Sequence, residues 1–282
     1  MPIRRMRPTS HGTRQITYLV NDDLTKGKAP EGRLLEPLPR SGGRNNHGHV
    51  TMRHRGGGAK ARYRVIDWKR NKDGVPAKVT SIEHDPSRNA RIALLTYADG
   101  DKRYVLAPLG LEVGHVVMNG PKAEAKNGSC LPLRNIPVGL TVHAVELVPG
   151  RGAQMARAAG AGAVFTAKEG DHALLTLPST EMRRVHLDCR ATVGQVGNLD
   201  ANLVVIGTAG RHRHMGYRPY SRGSAQNPVS HPMGGGEGRR AGGRHPVSKW
   251  GVLSKGGNTR KPRKASNRFI VRGRRRGPQV GR

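Results

Sequence analysis

Short runs of apolar and β-branched residues, each closed off by Gly, Pro, Asp or Asn, set the rhythm of the middle of the chain. They recur at Tyr63–Trp68, Ala77–Ile82, Ile92–Tyr97, Arg103–Leu106 and His115–Met118, with turn signals at Lys72-Asp73-Gly74 and Asp99-Gly100. Runs of this length and alternation predict strands. Asp99-Gly100 between two of them predicts a hairpin of type I′, whose two central positions both take positive φ. Five such strands in succession fit a small barrel of the OB type. A second series follows Asn127-Gly128: Thr141–Leu147, Ala163–Lys168, Ala173–Leu177, Met182–His186 and Ala191–Val196, broken at Pro149-Gly150, Glu169-Gly170-Asp171 and Pro178-Ser179. A second small barrel is the simplest arrangement of these. Gln154–Ala159 predicts one short helix ended by Gly160. No long amphipathic helix, internal repeat or heptad interrupts an all-β reading.

Composition changes the picture at the ends. Of 282 residues, 35% are hydrophobic and 4% aromatic, below the ~45–50% apolar content of an average domain, so part of the chain stays unburied. Fifty Lys and Arg against nineteen Asp and Glu leave a net charge of +31. Residues 1–60 carry +8, residues 61–205 only +5 and residues 206–282 carry +18. A nearly balanced middle is therefore flanked by two basic arms. The expected organisation is a basic extension over 1–59, a first barrel over 60–125, a second over 126–200 and a Gly/Arg/His-rich extension over 201–282. The arms have too few burial-prone groups to offset their ordering entropy, so alone they are expected to be extended or disordered.

A charge this large calls for a polyanionic partner, with nucleic acid ahead of a membrane surface. No basic amphipathic helix with aromatic anchors is present, and the longest apolar runs, such as Leu203–Ile206, are strand-sized. Met1–Arg14 is Arg-rich and free of acids like a transit peptide, but Pro2 and Pro8 oppose the amphipathic helix such a peptide needs. Cys130 and Cys189 lie far apart without paired-ligand spacing, which points to a reducing cytoplasm and to neither a disulfide framework nor a zinc site.

Two motifs carry the candidate chemistry. In Arg53-His54-Arg55-Gly56-Gly57-Gly58, followed by Lys60, Arg62 and Arg64, a glycine triplet without side-chain bulk is set among cations. Its backbone N–H groups are expected to approach phosphates that the flanking charges neutralise. No Gly-Lys-Ser/Thr joins a strand to a helix, so it is not a nucleotide-binding P-loop. The second motif runs from Arg218 and Arg222 through Asn227, His231, Gly234, Gly235 and Gly236 to Arg239, and Arg211 and Arg213 before it and Arg244, Lys255 and Arg260 beyond it are further candidate rRNA contacts. Prolines stiffen it and glycine triplets thin it, which suits threading through a crevice in folded RNA.

Arg53–Gly58, the run from Tyr63 to Pro108, the stretch from Leu131 to Gly139 and Asn227–Arg239 closely resemble the universal large-subunit ribosomal protein family called "L-two", in its bacterial form. The resemblance covers nearly the whole chain. It implies an OB-like barrel followed by an SH3-like barrel, with both termini reaching into large-subunit rRNA and the C-terminal extension lying near the peptidyl transferase centre. It also implies primary rRNA binding and support of subunit association, tRNA binding and peptide-bond formation. The implied partners are large-subunit rRNA, neighbouring ribosomal proteins and the small subunit at the subunit interface, with no membrane and no homo-oligomer. No cofactor is expected beyond Mg²⁺ ions of the rRNA nearby. Three positions depart from the family pattern: Ala59 and Met233 stand where His is usual, and His214 where Trp is.

Enzymatic readings are weaker. His231 matches a residue for which a contested catalytic role exists in the family, but Glu237 is the only carboxylate near it in the sequence, so no catalytic residue is expected. His212 and His214, with His231 and His245 beyond, lack an acidic or thiol partner and sit among Arg211, Arg213 and Arg218, which would repel a cation. Cys189 has no identifiable base and is expected in a core. A nucleoid DNA protein is a rival reading, but glycine-proline arms suit irregular RNA better than a duplex groove.

Overall fold

In Ala77–Glu83 the side chains of Ala77, Val79 and Ser81 are buried while Lys78 and Thr80 are exposed, the alternation that a strand with one solvated face requires. A register shift between Val79 and Ser81 ends that alternation, and Ile82 and Glu83 are both buried beyond it. The computed structural model describes residues 3–236, 243–256 and 259–274 of the chain. Ile92–Tyr97 is paired on both edges, with Ala77–Glu83 on one side and Lys102–Leu106 on the other. Its continuous apolar run has a two-sided cause. Ala93, Leu95 and Tyr97 pack with Val79, Val105 and Val117, whereas Ile92 and Leu94 pack with Ile66, Tyr104 and Val196. Val116–Val117 adds to the far edge of Ala77–Glu83, and Ile66 forms a parallel bridge to Tyr104 at the opposite edge. The resulting curled sheet is the OB-like barrel.

The hairpin at Asp99-Gly100 forms, by a different turn. Gly100 has φ +83°, while Ala98 and Asp99 do not enter the left-handed region. The Gly100 N–H donates to the Tyr97 carbonyl and the Tyr97 N–H to the Asp101 carbonyl, both at 2.9 Å. This is a type I turn closed by a glycine bulge, not the expected type I′.

The second barrel is SH3-like and antiparallel. Its seven strands run in the order Ile270–Arg272, Met182–His186, His172–Thr176, Ala163–Glu169, Thr141–His143, Arg190–Val193 and Cys130–Pro132. Leu131, Leu133, Val142, Phe165, Leu175, Val185 and Cys189 fill it. The helix expected over Gln154–Ala159 is absent: Ala153–Met155 is a strand paired with Val145–Glu146, and Ala156 turns to φ +50°. The reason is tertiary. The Ala153 N–H donates to the Trp68 carbonyl at 2.8 Å, and the Ala144 N–H to the Ala156 carbonyl at 3.0 Å. The run Thr141–Leu147 is likewise cut at Ala144, φ +48°.

Both barrels belong to one compact unit, formed by the described parts of residues 1–39, 60–211 and 268–275. Leu109 N–H to Gln195 O at 2.7 Å and Gly197 N–H to Ala107 O at 3.0 Å join them through backbone. Arg190 forks onto both carboxylate oxygens of Asp73 at 2.6 and 2.7 Å, a bidentate geometry that fixes orientation as well as charge. Buried Arg70 donates to Asn119 Oδ1 and to the Gly128 carbonyl.

The compact unit crosses the boundaries expected at residues 59 and 200. Ile3–Arg5 pairs with Thr17–Leu19, and Leu35–Pro37 with Arg62–Arg64, so much of the N-terminal arm belongs with the barrels. Ile270–Arg272, from the far end of the C-terminal arm, is an edge strand of the second barrel. A second unit is formed by the described parts of residues 40–59 and 212–267. It is held by backbone hydrogen bonds and has no apolar core: His231 is its one buried residue among those described. The described parts of the arms carry short strands, turns and backbone hydrogen bonds, because glycines allow backbone to pair with backbone where side chains supply little burial.

Candidate nucleic-acid interface

The second unit is built on the glycine triplet. Gly56, Gly57 and Gly58 have φ of +140°, +65° and +90°, a conformation L side chains rarely adopt. Gly56 N–H donates to Gly216 O at 3.0 Å, Ala59 N–H to His214 O at 2.9 Å and Arg218 N–H to His54 O at 3.1 Å. At Gly58 a Cβ would fall 2.9 Å from both Gly216 N and His214 O. Close approach of two backbone segments is therefore one reason for the glycines. Of the glycine amides expected to face phosphates, that of Gly56 is occupied within the chain, as is the neighbouring amide of Ala59.

The clasp also orients charge. The Arg55 guanidinium lies over the Tyr217 ring, 4.2 Å from its centroid, and Arg40 Nη1 donates to Gly57 O at 2.6 Å. His54 donates through Nδ1 to Pro219 O at 2.9 Å, meets Tyr220 edge-on at 4.7 Å and leaves a buried Nε2 without a partner. His212 stacks on Tyr217 at 4.5 Å. Arg53 is half-buried near Trp250, and Arg213, Arg218 and Arg222 are exposed. Two of the three departures from the family pattern, Ala59 and His214, meet each other through backbone.

Downstream, the chain folds around His231. Asn227 Oδ1 accepts from Val229 N–H at 3.0 Å, and Asn227 O accepts from Ser230 N–H and His231 N–H. The His231 ring is packed so closely on Gly223 that a Cβ there would sit 2.4 Å from it. Its Nδ1 accepts the Met233 N–H at 3.1 Å, so in the neutral ring the hydrogen is on Nε2. Met233, the third departure, accepts the Val247 N–H on sulfur at 3.4 Å. Gly234 and Gly235 are required sterically: a Cβ on the first would fall 2.4 Å from Gln226 O, and on the second 2.5 Å from Pro228. Gly236, Arg244, Lys255 and Arg260 are exposed, with Arg260 bonded to Asn267 and Ser266. Arg239 lies outside the described residues, as does Glu237.

The remaining candidates fall in the first unit. Lys60 and Arg62 are exposed, Arg64 is half-buried with Nε unpartnered, and Arg211 is turned onto Tyr18 at 4.4 Å and onto Ile206 O at 3.1 Å. Trp68, with the guanidinium groups of Arg157 and Arg88 over its ring at 4.7 and 5.2 Å, was not singled out in the sequence. Neither was Tyr217, whereas Tyr220 lies within the second motif. Aromatics spaced among arginines were the only signal. Cys189 lies in the second barrel's core, where burial pushes its thiol up to about 12.

Electrostatics separates the two units. Every ion pair among the described residues lies in the first, including Arg91 with Asp23, Arg103 with Asp67 and Arg134 with Asp188. The described residues of the second hold no Asp or Glu at all. Their Lys and Arg number four in 40–59, three in 212–236, three in 243–256 and four in 259–267. Two small barrels that pair their own charges, together with segments whose cations meet no carboxylate among the described residues, define a basic nucleic-acid-binding protein. Residues 31–119 match the family model described as Ribosomal Proteins L2, RNA binding N-terminal domain, and residues 126–251 the model described as Ribosomal Proteins L2, C-terminal domain. The chain belongs to the ribosomal protein L2 family. It is a structural protein of the large ribosomal subunit that binds rRNA and resides in the ribosome.

Proposed function

We propose that the chain is a primary rRNA binder whose strongly basic segments stabilise closely packed rRNA beside the peptidyl transferase centre of a cytoplasmic ribosome. In this reading it supports subunit association, tRNA binding and peptide-bond formation, touches neighbouring ribosomal proteins and meets the small subunit at the subunit interface. The observation that carries it is the charge of the second unit: cations held on a glycine-rich backbone clasp, with no acid among the described residues to neutralise them. Phosphates of folded RNA supply that neutralisation, releasing counterions as they do so.

Catalysis is not part of this proposal. His231 is buried, and its Nδ1 lone pair is taken by the Met233 N–H. A ring fixed in this way organises the loop from Gly223 to Gly235 better than it serves as a proton acceptor. No cofactor is invoked; Mg²⁺ ions near the segments would belong to the RNA. Sedimentation of a cell lysate tests the assignment: the chain should travel with the large subunit at moderate salt. Recovery in the soluble fraction, or a preference for duplex DNA over large-subunit rRNA fragments in competition, would overturn it.

A further inference from the structure

The outer face of the second barrel carries rings beside charge of both signs. Cross-strand pairing sets Glu169 opposite His172 and His172 opposite His186, so the three side chains project from the same side of the sheet. Arg184, two residues from His186 on its strand, shares that side. Ile270–Arg272 runs along the neighbouring edge and delivers Phe269 to it. The His172 ring is centred 5.7 Å from His186 and 6.2 Å from Phe269. Glu169, His172, Arg184, Arg268 and Phe269 line an open groove of about 590 Å³.

The groups in this groove differ in kind. The rings offer π faces, and the Arg268 guanidinium sits 4.8 Å from the Phe269 centroid. Glu169 is ion-paired to Arg184 at 3.3 Å, while Arg268 has no carboxylate partner among the described residues, so the groove is net positive. Rings on a sheet face with a spare cation beside them match the two faces of a nucleotide, a flat base and an anionic phosphate. An acidic peptide would satisfy the charge and leave the rings unused.

We propose that this groove holds one unpaired nucleotide of RNA, its base stacked on Phe269 and His172 and its phosphate on Arg268. The proposal rests on the RNA-binding reading above. It adds a base-stacking site on the barrel surface to the charge-driven contacts of the arms.

The test uses the full chain and pentaadenylate as probe at about 0.5 M salt, where charge-driven binding is largely screened. Ring protons of His172 and His186 should shift saturably in NMR titration. Phe269→Leu, which keeps apolar volume but removes the π face, should weaken binding about 5- to 150-fold with an unchanged melting temperature, the range for losing one stacked base. Phe269→Tyr should restore it. Equal affinity of wild type and Phe269→Leu, or the same ring shifts with an oligoglutamate peptide, would overturn the proposal. Salt-dependent binding of both proteins to large-subunit rRNA in that case would leave the broader reading standing, whereas loss of rRNA binding by the wild type would remove that too.

Discussion

Replacing Arg213, Arg218 and Arg222 together by Ala removes three exposed cations of the second unit. None of them has an acidic partner among the described residues, so the change breaks no ion pair there. Arg55 and Arg211 are poorer choices, because their guanidinium groups rest on Tyr217 and Tyr18 and their loss would mix packing with charge. Each neutralised phosphate contributes roughly 0.7–0.9 to the slope of log affinity against log salt, so the triple variant should flatten that slope by about 2 to 2.7. Over a fourfold rise in salt, from about 50 to about 200 mM, the advantage of the wild type over the variant should then shrink about 20- to 40-fold. Filter binding of full-length protein to a large-subunit rRNA fragment across that range measures both lines. Parallel lines would refute the reasoning, since they would mean that these arginines meet no phosphate.

Three further outcomes follow from the geometry. His143 is buried, bonds Gly194 O through Nδ1 at 2.8 Å and is held by desolvation at about 4, below its ordinary 6.5. The unfolded chain therefore takes up a proton that the folded one refuses, so stability is full above about pH 6.5 and falls as pH drops toward 4, by about 3 kcal/mol in total. His143→Asn should flatten the pH dependence of the unfolding free energy measured in urea by that amount, and an unchanged pH profile would contradict it. Gly58→Ala forces a Cβ into left-handed backbone and against Gly216 and His214; it should cost the clasp about 1–3 kcal/mol, read as faster proteolysis within residues 40–59 while the barrels melt unchanged. His231→Ala strands the Met233 N–H and should lower incorporation into ribosomes, yet single-turnover peptide-bond formation in those that assemble should stay intact. A loss of several orders of magnitude there would make His231 catalytic.

Much of the barrel architecture was legible because burial imposes period two. Ala77–Glu83, Ile92–Tyr97 and Met182–His186 lie where alternation or continuous apolar runs place them. Cys130–Pro132 and Ile270–Arg272 were not legible: each has three residues, too few for a period, and each is a strand because a partner strand supplies its hydrogen bonds. Gln154–Ala159 shows the reverse, local helix propensity overruled by the carbonyls of Trp68 and Ala156. At the interface, composition marked the arginines and glycines, but not which arginines are free. Arg213 and Arg211 are two residues apart; one faces solvent and the other is spent on Tyr18 and Ile206.

The sequence alone determined the strand rhythm, the separation of a nearly neutral body from strongly basic ends, and the polyanionic character of the partner, because alternation and charge are local properties that no packing can erase. Tertiary structure decided the rest: that the glycine triplet clasps residues 214–218, that His231 is locked by its own loop, and that rings from distant strands gather beside Arg184. Those outcomes depend on which backbone groups find partners across long separations in the chain, and no local pattern encodes that choice.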